Sequence, residues 1–146
     1  MKQISEREWR YANLLLNFMA FEGAKDVMKK DYMLLCLTKP KEDRFAELAN
    51  RIEQKPPKDL NRREGCYQDL TARAADESDF CYCMRCLRKI RDNLIHCNKG
   101  RIKDPEDRIE FLLAWSEDFI NQVYDTKSTF ADRASELKRG LEIENF

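Results

Sequence analysis

Phe45-Ala46-Glu47-Leu48-Ala49-Asn50-Arg51-Ile52 is the stretch that decides the fold class. Its apolar side chains Phe45, Leu48, Ala49 and Ile52 recur at i, i+3, i+4 and i+7. A chain turning about 100° per residue lines these up as one stripe, and a strand would scatter them over both faces. Asp43 opens this helix and Pro56-Pro57 closes it, which predicts a helix over residues 43–54.

The same period recurs on both sides. Toward the N-terminus, Ser5 is a capping residue, Glu8 completes a capping box and Ile4 is placed to staple onto Trp9. The helix they start carries Leu14, Leu15, Phe18, Met19 and Phe21 to about residue 22, with Gly23 as its expected stop. A second helix is expected over 25–37, ended by Thr38-Lys39-Pro40. Toward the C-terminus, residues 79–97 carry the stripe Cys83, Cys86, Leu87, Ile90, Leu94 and Cys97, and Asn98-Lys99-Gly100 is a stop. Asp104-Pro105-Glu106-Asp107 opens a fifth helix, with a capping acid, proline in the first turn and acids at the positive end of the dipole. It runs to about residue 124 with Ile109, Leu112, Leu113, Trp115, Phe119, Ile120 and Val123 inward. A sixth spans 129–141 on Phe130, Ala134 and Leu137.

Residues 56–77 break the pattern. Pro56-Pro57, Asn61, Gly65 and Asp76-Glu77-Ser78 predict an irregular loop, with room for one short helix near 67–75. No stretch reads as a strand. The expectation is a single all-α domain over residues 1–146, an antiparallel helical bundle of five to six helices.

Composition bounds the function. Charged residues make up 37% of the chain yet balance to a net charge of zero, so no global field selects nucleic acid or membrane. No apolar run approaches spanning length, so no membrane is expected as a partner. The first residues, Met1-Lys2-Gln3-Ile4-Ser5, contain no signal-peptide core, which makes the cytoplasm the expected compartment. The six cysteines then read as reduced thiols. Cys81, Cys83 and Cys86 are irregularly spaced for a zinc site, and Cys83, Cys86 and Cys97 fall on the apolar stripe, where a thiol packs as a small hydrophobe. Cys36 reads as core, and Cys66 as a loop thiol. Trp9 and Trp115 read as core or dimer interface.

Chemistry concentrates in Ile90-Arg91-Asp92-Asn93-Leu94-Ile95-His96, which holds the only histidine of the chain. On a helix His96 shares a face with Asp92, Lys89 and Arg85, with Asn93 at its edge. Asp92 and Asn93, at i−4 and i−3, are placed to orient the imidazole. The last helical turn favours its protonated form. Arg91 is five positions away, about 140° around the helix, so the two groups do not stack side by side. Between residues 85 and 103 lie seven bases (Arg85, Arg88, Lys89, Arg91, Lys99, Arg101, Lys103) and one acid, Asp92. Such a surplus attracts a polyanion. A base, an acid and a cation suffice to cleave RNA through its own 2′-hydroxyl, with no metal or other cofactor. One imidazole is short of an acid–base pair, and a two-fold homodimer supplies the second.

Arg91-Asp92-Asn93-Leu94-Ile95-His96 resembles the R-x4-6-H motif of the HEPN superfamily (higher eukaryotes and prokaryotes nucleotide-binding domain), including the polar residue directly after the arginine. The resemblance implies an all-α bundle of about this size and a metal-independent endoribonuclease with a composite cleft in a homodimer. It implies an RNA substrate, and an antitoxin or antiviral-defence protein as partner. It makes Arg91 and His96 the catalytic pair, with Asp92 and Asn93 in support. Some toxins of the family carry a tyrosine shortly after the histidine, where the antitoxin modifies them; here Cys97-Asn98-Lys99-Gly100 follows, which lacks it. The alternative is a non-catalytic helical module that binds a partner protein or nucleotide.

Overall fold

A computed structural model of the chain describes residues 5–37, 44–61, 66–95 and 106–145. Among them are six helices: α1 (Glu6–Val27), α2 (Lys29–Leu37), α3 (Arg44–Gln54), α4 (Asp79–Ile95), α5 (Glu106–Asp125) and α6 (Thr129–Asn145). One two-stranded antiparallel sheet, β1 (Lys58–Asn61) with β2 (Cys66–Asp69), lies between α3 and α4 in the chain. The fold class is all-α, as the periodicity predicts. The chain divides into two compact units, one of residues 1–38 and 120–146 and one of residues 39–119.

The first unit is built on α1 packed along α6, with α2 against both. The Glu8 amide donates to Ser5 Oγ at 3.2 Å, the expected cap. Leu14, Phe18 and Phe21 are buried along α1 and Phe130, Ala131 and Ala134 along α6. The Phe21 ring lies 5.5 Å from Tyr124 and 5.9 Å from Phe130. Buried Asn17 is satisfied twice: its amide donates to the Asn13 carbonyl at 2.8 Å, and the Tyr124 hydroxyl donates to its Oδ1 at 2.7 Å. α2 buries Cys36 but leaves Met33, Leu34 and Leu37 exposed.

Gly23, expected to end the first helix, lies inside α1 instead. A Cβ on Gly23 would sit 3.1 Å from Leu137 Cδ1 of α6, so the residue serves close helix approach rather than a stop. The break falls at Met28, whose amide closes on the Ala24 carbonyl at 2.7 Å.

The second unit forms on α3 packed against α4. Phe45, Leu48, Ala49 and Ile52 are all buried, as are Cys83, Cys86, Leu87 and Ile90 of α4. Phe45, Phe80 and Phe119 form a ring cluster with centroids 5.2–6.0 Å apart. Trp115 stacks on Phe119 at 5.4 Å, and its indole N–H donates to the Leu48 carbonyl at 2.8 Å, so its burial leaves no orphan donor.

The stretch expected to be wholly irregular contains the sheet. Lys58 pairs with Asp69, Asp59 with Gln68, Leu60 with Tyr67 and Asn61 with Cys66. Neither strand has an apolar alternation, so no sequence period marks it. Contacts from elsewhere hold it: Pro56, Pro57 and Leu70 are buried at its base, and the Leu70 amide donates to the Pro57 carbonyl at 2.9 Å. The short helix expected near 67–75 is absent. Residues 66–69 are strand, residues 70–74 are irregular, and a turn follows at 75–76, where the Glu77 amide donates to the Ala74 carbonyl.

Candidate functional site

α4 starts on Ser78, whose Oγ accepts from the Cys81 amide at 3.1 Å. The helix buries its cysteine stripe and turns the polar ridge Arg85, Lys89, Asn93, spaced by four residues, toward the segment that precedes it.

Arg85 grips that segment hardest. Its Nε and Nη2 donate to the two oxygens of Glu77 at 3.0 and 2.9 Å, and its remaining donors reach the carbonyls of Thr71 (2.8 Å) and Ala72 (3.3 Å). Hydrogen bonding from Arg85 holds the Glu77 carboxyl below the usual carboxylate range, against the opposing effect of burial. The guanidinium also lies 5.2 Å from the Tyr82 ring centroid, and Arg73 lies 5.7 Å from the same ring. Arg73 ties Glu53 of α3 at 2.8 Å to Asp79 at the start of α4.

One turn further on, Lys89 Nζ meets Asp59 of β1 at 2.7 Å. Another turn on, the Asn93 amide donates to the Lys58 carbonyl at 2.9 Å. Lys58 Nζ in turn meets Asp69 Oδ1 across the sheet at 2.6 Å, and Arg108 of α5 reaches the same oxygen at 3.1 Å while donating to the Pro56 carbonyl. The hydrogen bond from Lys58 is the main reason the Asp69 carboxyl sits below its ordinary value. The hairpin is thus fastened from α4 and from α5 by partners lying far apart in sequence.

Arg91 lies on α4 with its side chain about a third exposed, and its Nε meets the carboxylate of its neighbour Asp92 at 3.0 Å. Arg88 is exposed on the same helix. His96, Lys99, Arg101 and Lys103 lie outside the described residues, as does the side chain of Cys66. The structure therefore brings Arg91 and Asp92 together and sends Asn93 to the hairpin. Arg85 and Lys89, expected to bind RNA, engage Glu77 and Asp59. Sequence reasoning missed Lys58, Asp59, Asp69, Glu77 and Arg108. Arg108 left one signal: it is a lone base among Asp104, Glu106, Asp107 and Glu110 in a helix start that otherwise favours acids.

Two of the α4 thiols, Cys83 and Cys86, are buried in the core. Cys83 donates to the Phe45 carbonyl at 3.8 Å, and burial pushes the Cys86 thiol up to about 12. Among the described residues no group of three or more His, Cys, Asp or Glu side chains is placed to hold a metal ion. No described helix is long and apolar enough to cross a membrane. No protein-family model, no curated protein and no solved structure matches the chain.

Proposed function

We propose that the chain is a HEPN-type, metal-independent endoribonuclease acting as a homodimer. The observation that carries the proposal is the motif itself, Arg91-Asp92 followed by His96, with its arginine on a helix of an all-α chain and its side chain about a third exposed. His96 moves protons to and from the attacking 2′-hydroxyl and the leaving 5′-oxygen, two copies dividing the acid and base roles. Arg91 stabilises the charge gathering on the phosphorane oxygens, with Asp92 fixing its guanidinium. Arg88, Lys99, Arg101 and Lys103 supply backbone contacts to RNA. A cytoplasmic toxin or antiviral module, restrained by an antitoxin or another defence protein, is the setting this chemistry fits.

The test is cleavage of end-labelled RNA in excess EDTA. The wild-type chain yields products ending in 2′,3′-cyclic phosphate. Arg91→Ala and His96→Ala each lower the rate by about a hundredfold or more while light scattering still finds a folded dimer. A requirement for a divalent metal, or full activity in His96→Ala, overturns the mechanism.

A second reading, a non-catalytic module that binds a partner protein or nucleotide, draws on the ion pairs. Arg85, Lys89 and Arg91 each meet a carboxylate of their own chain, at 2.9, 2.7 and 3.0 Å. This reading predicts a stable chain with no cleavage of any RNA.

A further inference from the structure

Lys58 of β1 and Arg108 of α5 converge on a single atom, Asp69 Oδ1, at 2.6 and 3.1 Å. The two cations are the sheltered members of this group, at 25% and 17% side-chain exposure, and the carboxylate is the open one, at 54%. Each of the two residues also makes a contact that does not involve Asp69, Arg108 through its guanidinium and Lys58 through its main chain. Arg108 donates to the Pro56 carbonyl, and the Lys58 backbone accepts from Asn93 of α4. An exposed ion pair contributes only about 0–1 kcal/mol, so exchanging this carboxylate for another anion costs little. Exchange of the carboxylate leaves two cations facing one oxygen site, which a phosphate oxygen can fill.

We propose that Lys58 and Arg108 form a phosphate-binding subsite that Asp69 occupies as an internal competitor. Its ligand is a phosphate oxygen, from an RNA backbone or from free phosphate. Only the RNA assignment rests on the ribonuclease reading. Through Asn93 the subsite is fastened to α4, the helix that also carries Arg91 about 160° around from Asn93. Asp69 then sets a threshold: a single free phosphate competes weakly with it, and a polyanion that adds contacts elsewhere displaces it.

The probe is a fluorescein-labelled oligoribonucleotide with methylated 2′-hydroxyls, which binds without being cut. Its anisotropy is followed on the full-length chain over a salt series. Asp69→Asn tightens binding about fivefold, equivalent to releasing one exposed ion pair, and steepens the salt dependence by about 0.7 per added phosphate contact. Adding Lys58→Gln to Asp69→Asn returns affinity and slope to wild type. Arg108→Gln also removes the bond to Pro56, so Lys58→Gln alone, with its fold checked by circular dichroism, gives the independent arm and weakens binding. Equal RNA affinity and slope in wild type, Asp69→Asn and folded Lys58→Gln, together with no rise in the melting temperature of Asp69→Asn when inorganic phosphate is added, overturns the subsite. Inorganic phosphate, read by the melting temperature of Asp69→Asn, separates the two sources. A gain for phosphate without one for RNA keeps the subsite and removes support for the ribonuclease reading. A gain for RNA in a chain that never cleaves it keeps the subsite and ends the catalytic proposal.

Discussion

The two units hold themselves together in different ways. In the first, long helices meet through apolar faces, with Phe21, Tyr124 and Phe130 in ring contact and Gly23 letting α6 come close. The pairs Arg133–Glu136 and Lys138–Glu142 there run along one helix. In the second, charged and amide side chains cross between elements: Arg51 to Asp118, Arg73 to Glu53 and Asp79, Arg85 to Glu77, Lys89 to Asp59, Arg108 to Asp69. The apolar contacts fix helices. The polar ones fasten a short sheet and an irregular segment to the helices. Salt and acid should therefore act on these fastenings of the second unit.

The largest test is in the cores. Phe21→Ala and Trp115→Ala each remove a ring with no solvent exposure, and each should cost about 3–5 kcal/mol in urea denaturation. Neither loss should depend on ionic strength. Trp115→Ala also removes the indole hydrogen bond to the Leu48 carbonyl and should be the worse of the two. Comparable salt sensitivity in both variants would erase the contrast.

Arg85→Ala comes next. It removes a paired carboxylate contact and two carbonyl contacts from a side chain 31% exposed, for an expected loss of about 1–2 kcal/mol after solvent screening. The loss should shrink at high salt, and amide exchange should rise over residues 71–77 while α1 and α6 keep their protection.

Acid gives the smallest and sharpest comparison. Asp69 and Glu77 both titrate below their ordinary values of 3.8 and 4.5. The unfolded chain then binds more protons than the folded one in this range. Their contribution is whole above the ordinary values and is lost as the pH falls through the lowered ones. Amides of the sheet and of residues 71–77 should lose protection below about pH 4, before the helices of the first unit. Simultaneous loss in both units would contradict this.

How much of this the sequence makes legible follows from how local each cause is. The α3 stripe is local, and all four of its residues are buried where the period puts them. The Ser5 cap is local and is found. Gly23 misleads because its purpose lies in Leu137, more than a hundred residues away. The sheet is illegible for the same reason: Lys58-Asp59-Leu60-Asn61 is polar, and what pins it comes from Lys89, Asn93 and Arg108. At the candidate site, the position of Arg91 on α4 is legible from helical spacing. The partners of the basic residues are not, because a local count registers the surplus of positive charge and misses Glu77, Asp59 and Asp69.

The placement of the two tryptophans gives the molecule a pair of optical reporters. Trp9, 51% exposed, belongs to the first unit, and Trp115, wholly buried and stacked on Phe119, belongs to the second. Water relaxes the excited indole of Trp9 toward long wavelengths and iodide can reach it. Trp115 emits toward the blue and is shielded from the quencher. A Trp9→Phe chain glows only from the unit that carries Arg91, so a shift in its emission when an oligonucleotide is added speaks for that unit alone.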